Sequence, residues 1–279
     1  CSIMGTKNCL ITGATSGIGL ETSKILAEHG YDLILVSRSE DKLKTLCKDL
    51  ERKFSISTSS YTCDLSSLCN TIEISNKIKN NHKEIDCLIN NAGGIFMDFE
   101  ITEEGYERTF ALNHMSYFIV TNILIENVTS RVINVASEAH RGARINDDFR
   151  YPKKFNGWMQ YKNSKLANIY FTYHLNSILD KTNSHLTVNC LHPGVVNTNI
   201  ANNNSSMIYK TISSFIKFFA ISSRQGAFTS TYLATSPEVD SFSGGYFIKS
   251  RPVKSSNISY DKDAAERLWA LSTEIWKSM

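Results

Sequence analysis

Three groups of residues in this 279-residue chain have the types and spacing to do chemistry. The first is Thr12-Gly13-Ala14-Thr15-Ser16-Gly17-Ile18-Gly19. Glycines there let a backbone turn tightly and approach a pyrophosphate. The free N–H groups of a helix starting at Gly17 favour that anion. A tight turn that only helps a helix pack uses the same residues. Gly13, Ser16, Gly17, Ile18 and Gly19 therefore carry weight only between a strand and a helix. The second group is Val36-Ser37-Arg38. An NAD-binding chain usually places an Asp or Glu there to accept from the ribose hydroxyls. Arg38 instead brings a guanidinium that can pair bidentately with a 2′-phosphate, which favours NADP(H). Glu40 and Asp41 lie close by and leave NAD(H) open. The third group is Asn90-Asn91-Ala92-Gly93, Ser137, and Tyr161 with Lys165. Tyr161 and Lys165 are four apart and share one helix face. Alone, that spacing usually marks a surface Tyr and a solvated Lys.

What must position these residues can be read from periodicity. Asn8–Thr12, Asp32–Arg38, Ile56–Asp64, Asp86–Asn90, Arg131–Ser137, Leu186–His192 and Gly245–Lys249 read as strands. Gly17–His29, Glu40–Arg52, Leu65–Lys79, about Thr102 to Asn127, Gly157–Asp180, Ser206–Ser236 in two pieces and Asp261–Lys277 read as helices. Strands that are apolar nearly throughout, with helices between them, predict an α/β fold. Its form is a Rossmann-type, doubly wound parallel sheet with helices on both faces. No linker divides the chain, so residues 1–279 are expected to form one domain. Such a sheet binds its ligand at the carboxyl ends of its strands, near a topological switch point. The three groups above fall at those ends or in the helix after them.

Composition narrows the classes. With 42% hydrophobic and 20% charged residues the chain is neither disordered nor collagen-like. Thirty basic residues against 27 acidic ones give +3, too weak and scattered for a nucleic-acid partner. Seven cysteines without a CxxC pattern suggest a reducing, cytoplasmic compartment. The chain starts at Cys1 rather than Met, which leaves room for an upstream segment. His114, His140 and His192 show no HxH or HExxH spacing, so they are expected to be structural and no metal site is expected.

Ile208, Ile212, Phe215, Ile216 and Phe219 share one helical face. They could pack on the domain, close as an apolar lid over a substrate, or touch a membrane surface. Ile95, Phe96, Met97 and Phe99 could line an opposite wall. No cationic cluster is evident, so a hydrophobic aldehyde, ketone or alcohol is the favoured substrate.

Taken in order, Gly13/Gly17/Gly19, Asp64, Asn90 to Gly93, Asn113, Ser137, Tyr161-x-x-x-Lys165 and Pro193-Gly194 resemble the short-chain dehydrogenase/reductase family. The retinol dehydrogenase branch is the most similar. Asn134-Val-Ala-Ser137-Glu-Ala-His140 and Leu191-His192-Pro193-Gly194-Val-Val196-Asn-Thr198 carry that likeness. Ala136, where a second Ser is usual, and Gly94 depart from the pattern.

The resemblance implies an NADP(H)-dependent oxidoreductase in which Tyr161 is the acid/base. Lys165 favours its phenolate and holds the nicotinamide ribose, and Ser137 donates to the substrate oxygen. Asn113 anchors a proton relay. Asp64 contacts the adenine region, and the Asn90, Ala92 and Gly93 segment shapes the cofactor trough. Pro193, Gly194, Val196 and Thr198 lie toward the nicotinamide amide. It further implies a homodimer through the helices at about 105–127 and 157–180. If an anchor precedes Cys1, the expected location becomes the cytosolic face of the endoplasmic reticulum. A broad carbonyl or hydroxysteroid reductase is the enzymatic alternative. A cofactor sensor without turnover is another class, but it has no physical need for Ser137, Tyr161 and Lys165 together.

Overall fold

The structure, a computed structural model, describes residues 6–144, 154–182, 184–194 and 223–279. The strands are β1 (Asn8–Thr12), β2 (Asp32–Ser37), β3 (Thr58–Thr62), β4 (Ile85–Asn90), β5 (Val128–Val135), β6 (Thr187–His192), β7 (Tyr246–Ile248) and β8 (Arg251–Val253). They form one sheet in the order β3-β2-β1-β4-β5-β6-β7-β8. All neighbours pair in parallel except β7 and β8. The order reverses between β1 and β4, so a switch point lies where the glycine-rich loop leaves β1.

Residues along β1 alternate between the two faces. Leu10 joins the apolar cluster that also holds Leu68, Phe118, Phe171 and Leu268. Cys9 and Ile11 join the cluster of Leu26, Leu43 and Leu233 on the other face. The first face is covered by α3 (Leu68–Asn81), α4 (the consecutive segments Arg108–Phe110, Ala111–Met115 and Ser116–Leu124), α5 (Gly157–Lys181) and α7 (Lys262–Lys277). The second is covered by α1 (Gly17–Glu28), α2 (Glu40–Phe54) and α6 (Ser223–Thr235).

Two elements depart from the periodicity. The helix expected from Thr102 begins at Arg108, because the buried Glu107 carboxylate accepts from Thr109 N at 2.8 Å and Phe110 N at 2.9 Å. That caps the helix where it starts. Its middle, Ala111–Met115, is a π-helical turn. The antiparallel strand β8 gave no signal at all. The turn into it uses Lys249 at φ 50° and Ser250 at φ 59°. Two positive φ values are what a tight hairpin needs, but the residues that announce such a turn are Asn and Gly.

The two helices to which the resemblance assigns a dimer contact are covered here by α7 of the same chain. Trp269 stacks on Phe171 at 5.7 Å and meets Phe118 edge-on at 5.0 Å, and Trp276 lies 6.3 Å from Phe118. Among the described residues no helix is long and apolar enough to cross a membrane.

One buried cation joins β5 to the α6 side. Arg131 donates to Leu233 O at 2.7 Å and Ser236 O at 2.8 Å, and pairs with Asp240. A hydrogen bond from a charged group contributes about 1.5–3 kcal/mol, and a buried carbonyl left alone costs energy. Arg131→Leu is expected to lower the unfolding free energy by about 2–5 kcal/mol. The shift should show in the urea midpoint with an unchanged slope. An unchanged midpoint would assign these bonds no net contribution.

Candidate active site

At the switch point the ends of β1 and β4 are tied together. Thr12 Oγ1 accepts from Asn91 N at 2.9 Å and Ala92 N at 3.0 Å, and Asn91 Nδ2 donates to Thr12 O at 2.9 Å. The backbone then passes Gly13 at φ +70°, where a Cβ would lie 2.9 Å from Ala92 Cα. A Cβ on Gly19 would meet Gly13 O at 2.2 Å, so the loop and α1 close on each other only because Gly19 lacks a side chain. Ser16 precedes α1 in extended backbone and its hydroxyl does not cap the helix. Among the described residues no side chain accepts from the first-turn N–H groups of α1. This cradle fits a dinucleotide pyrophosphate.

Arg38 follows β2, is exposed, and makes no hydrogen bond or ion pair among the described residues. Glu40 pairs with Lys44 at 2.6 Å, whose hydrogen bond holds the carboxyl below the usual carboxylate range. One of the two acidic groups that kept NAD(H) open thus faces a lysine. Asp64, two residues beyond β3, accepts from Ser66 N at 3.0 Å and Ser66 Oγ at 2.8 Å, which fixes the turn at that strand end.

Asn90 is the last residue of β4. Its side chain is fully buried and donates to Thr121 Oγ1 at 2.8 Å and Asn134 Oδ1 at 2.9 Å. Asn134 passes the chain on to Thr172 Oγ1 at 3.0 Å, so these amides lock α4 and α5 to the strand ends. Ile95 and Phe96 are likewise buried, with the Arg108 guanidinium 4.4 Å from the Phe96 ring centre; only Phe99 of that segment is well exposed.

α5 carries Tyr161 and Lys165. Its first residue is Gly157, where a Cβ would stand 2.2 Å from Phe96 O, so the helix start presses against that segment. Tyr161 is half-buried and stacks on Trp158 with centroids 5.5 Å apart. One turn later Lys165 is buried, and its Nζ donates to Val135 O at 3.0 Å and lies 5.7 Å from the centre of the Tyr161 ring. Burial pulls the Lys165 ammonium down to about 8. Asn113 sits in the π-helical turn. Its Oδ1 accepts from Gly94 N at 2.8 Å, and its Nδ2 donates to Gly94 O at 2.9 Å and Ser164 Oγ at 3.0 Å. These contacts use only the backbone of Gly94. A Cβ on Gly93 would lie 3.2 Å from Asn113 Oδ1 and 3.5 Å from Lys165 Nζ, so Gly93 keeps the space between the amide and the ammonium open.

Ser137 follows β5 and caps the short 3-10 helix Glu138–Gly142. Its Oγ accepts from Ala139 N at 3.2 Å, which leaves the O–H free to donate. Tyr117, missed from sequence, lies 5.9 Å by ring centre from Lys165 Nζ, and its OH donates to the same Val135 carbonyl at 3.4 Å. Burial, reinforced by Tyr161, raises its pKa, so it remains a neutral phenol. Its place four residues after Asn113 was the available signal. Trp158, also missed, lies three residues before Tyr161.

Pro193 and Gly194 follow β6, with Gly194 at φ +96°. Val196, Thr198 and the helical stretch at 206–221 lie outside the described residues. Burial draws His114 down to about 3 and His192 to about 4, so both are neutral. No group of three or more metal-ligating side chains occurs among the described residues.

A groove of about 650 Å³ at the same sheet end is lined by Arg141, Ile248, Lys249, Arg251 and Val253. Folding thus gathers cations that looked scattered in sequence.

Residues 7–208 match the family model described as short chain dehydrogenase. The chain is similar to retinol dehydrogenase 13 of Homo sapiens, at 34% identity over 96% of this chain and 84% of that protein. It is also similar to polyprenol dehydrogenase of Homo sapiens, at 31% identity over 95% of this chain and 84% of that one. A crystal structure of a protein from Mycobacterium paratuberculosis superposes with a TM-score of 0.79, 28% identity and coverage of 97% and 93%.

The Lys165 environment has a consequence for stability. An unfolded lysine titrates near 10.4. Between about pH 8 and that value the unfolded chain binds more protons than the folded one, so stability rises with pH. Below pH 8 both states are charged and the folded state carries the full cost of burial. Relative to Lys165→Met, the wild type should gain about 3 kcal/mol of stability from pH 8 to 10.5 in the cofactor-free protein. Parallel curves would show that the ammonium is not desolvated.

Proposed function

Because this chain belongs to the short-chain dehydrogenase family, with relatives in its retinol dehydrogenase-like branch, we propose that it is an NADP(H)-dependent oxidoreductase interconverting a hydrophobic aldehyde or ketone and its alcohol. It is an oxidoreductase of that family, and the family binds a nicotinamide cofactor. The observation that carries the reading is the meeting of Tyr161, Lys165, Asn113 and Ser137 around the end of β5, with Lys165 Nζ 3.0 Å from Val135 O and 5.7 Å from the Tyr161 ring centre.

The cradle formed by Gly13, Gly17 and Gly19 would hold the pyrophosphate, Arg38 the 2′-phosphate, and Lys165 the nicotinamide ribose. When bound, the cofactor supplies or accepts the hydride. Tyr161 gives its proton to the substrate oxygen in reduction and takes one in oxidation. The Lys165 ammonium makes the phenolate easier to form. Ser137 donates its free O–H to the substrate oxygen as charge gathers there. The buried Tyr117 and Asn113 keep Lys165 and the segment at Gly93 and Gly94 in place.

The names of two relatives, retinol and polyprenol dehydrogenases, support a long apolar substrate. So do the exposed rings of Phe99 and Trp158 near the start of α5. A second reading, a carbonyl reductase accepting acidic carbonyl compounds, is favoured by the cations of the Arg141, Lys249 and Arg251 groove. A screen with NADPH over retinaldehydes, medium-chain aldehydes, steroids, quinones and keto acids separates the two. Faster turnover of the keto acids would favour the second reading.

Tyr161→Phe should lower turnover about 10²- to 10⁴-fold while leaving NADPH affinity nearly unchanged. Near-full turnover would remove Tyr161 as the acid/base. Arg38→Ala should weaken NADPH roughly 10- to 150-fold and leave NADH alone, since only NADPH carries the phosphate. Equal weakening of both cofactors, or a wild type that prefers NADH, would overturn the cofactor assignment.

A further inference from the structure

His140 lies three residues after Ser137, and its ring is fully buried. Its Nδ1 is 2.6 Å from Ser137 O, a group that can only accept, so Nδ1 carries the proton. Its Nε2 is 3.0 Å from Ser256 N, a group that can only donate, so Nε2 offers a lone pair. Both partners are backbone groups, and together they leave the ring one tautomer. The His140 backbone N also donates to Ser137 O at 3.1 Å, so that carbonyl is held twice.

Neighbouring side chains grip the same part of the fold. Glu138 accepts from Tyr246 OH and from Arg141 Nε, each at 2.8 Å, and Arg141 Nη2 donates to Lys254 O at 2.8 Å. The Tyr246 ring meets His140 edge-on at 5.1 Å. The segment they hold is also fixed to α5, the helix of Tyr161 and Lys165. Ser255 Oγ is 2.7 Å from Tyr173 OH, and Ser255 N donates to Tyr260 OH at 3.2 Å, whose ring stacks on Tyr173 at 5.4 Å.

We propose that His140 is a positioning residue: it ties the Ser137 turn to the segment Lys254–Ser256, which is itself fixed to α5, so that one short stretch of chain sets the distance between Ser137 and Tyr161. The proposal rests on the reading that Ser137 assists turnover at Tyr161. It also carries a pH dependence. A protonated His140 would turn a second N–H against Ser256 N–H and release the tie. The ionisable groups facing the ring are Glu138 and Arg141 on its own turn, Tyr246 on β7 and His192 at the end of β6. Burial holds His140 below the usual histidine range, although the Ser137 carbonyl and Glu138 pull the other way. Release therefore belongs to acid pH.

Two variants cut the tie from opposite sides. His140→Phe removes the ring nitrogens. Ser256→Pro removes the donor; Ser256 already has φ −67°, which proline adopts, and its hydroxyl has no partner among the described residues. The substrate is the aldehyde turned over best by the wild type with NADPH. In each variant kcat per folded molecule should fall about 10- to 100-fold, with NADPH affinity unchanged. The double variant should be no worse than either single one, because both break the same link. The wild type should lose kcat on the acid side below the usual histidine range, and neither variant should show that loss.

Unchanged kcat in Ser256→Pro, additive losses in the double variant, or an acid limb that persists without the ring would each overturn the proposal. Turnover that does not depend on Tyr161 would instead overturn the reading beneath it, and the proposal with it.

Discussion

An ammonium almost out of water is the constraint around which this molecule is arranged. Lys165 Nζ has Val135 O at 3.0 Å as its backbone partner, and burial has already moved it to about 8. A charge so placed is costly unless firm dipoles surround it. That explains why the groups nearby are rigid backbone carbonyls and buried amides. It also explains why a neutral phenol, Tyr117, shares the Val135 carbonyl. A lysine held this way responds strongly to any charge that arrives beside it, since little water remains to screen the interaction.

The sheet supplies the rest. Parallel strands end in carbonyls and loops on one edge, and the reversal between β1 and β4 opens a gap there. Glycines stand where a side chain would crowd its neighbours. Gly13 lets the loop after β1 pass the segment after β4, Gly19 lets that loop and α1 meet, and Gly93 holds open the space between Asn113 and Lys165. The buried Asn90, Asn134 and Thr172 chain then couples the strands to the helices that carry the reacting groups. Polar networks of this kind specify position as well as contributing stability, because every member is lost if one shifts.

Much of this was legible in the sequence. Apolar runs placed most of the strands and the period-3.6 pattern most of the helices, because the central strands are buried on both faces. Tyr161 and Lys165 were legible from their order among the other motifs, because the four-residue spacing alone fits a surface Tyr and a solvated Lys equally well. What escaped obeys other physics. The π-helical turn at Ala111–Met115 breaks the period through an added residue per turn. The β7–β8 turn uses Lys249 and Ser250 where Asn and Gly were the signal. The inward orientation of Asn90 depends on Thr121 and Asn134, which are distant in sequence. The cationic groove joins Arg141 to Arg251 across 110 positions, beyond the reach of any local pattern.

The placing of α7 has a consequence during synthesis. Chains begin to fold as they emerge, at about 5–20 residues per second. The apolar faces of α4 and α5, with Phe118 and Phe171, cannot be fully covered until Trp269 and Trp276, which lie far downstream of both, have left the ribosome. The Lys254–Ser256 segment emerges only shortly before them. A nascent chain therefore keeps apolar surface open on both faces of its sheet until α6 and α7 have emerged. This is the interval in which a holding chaperone would engage it.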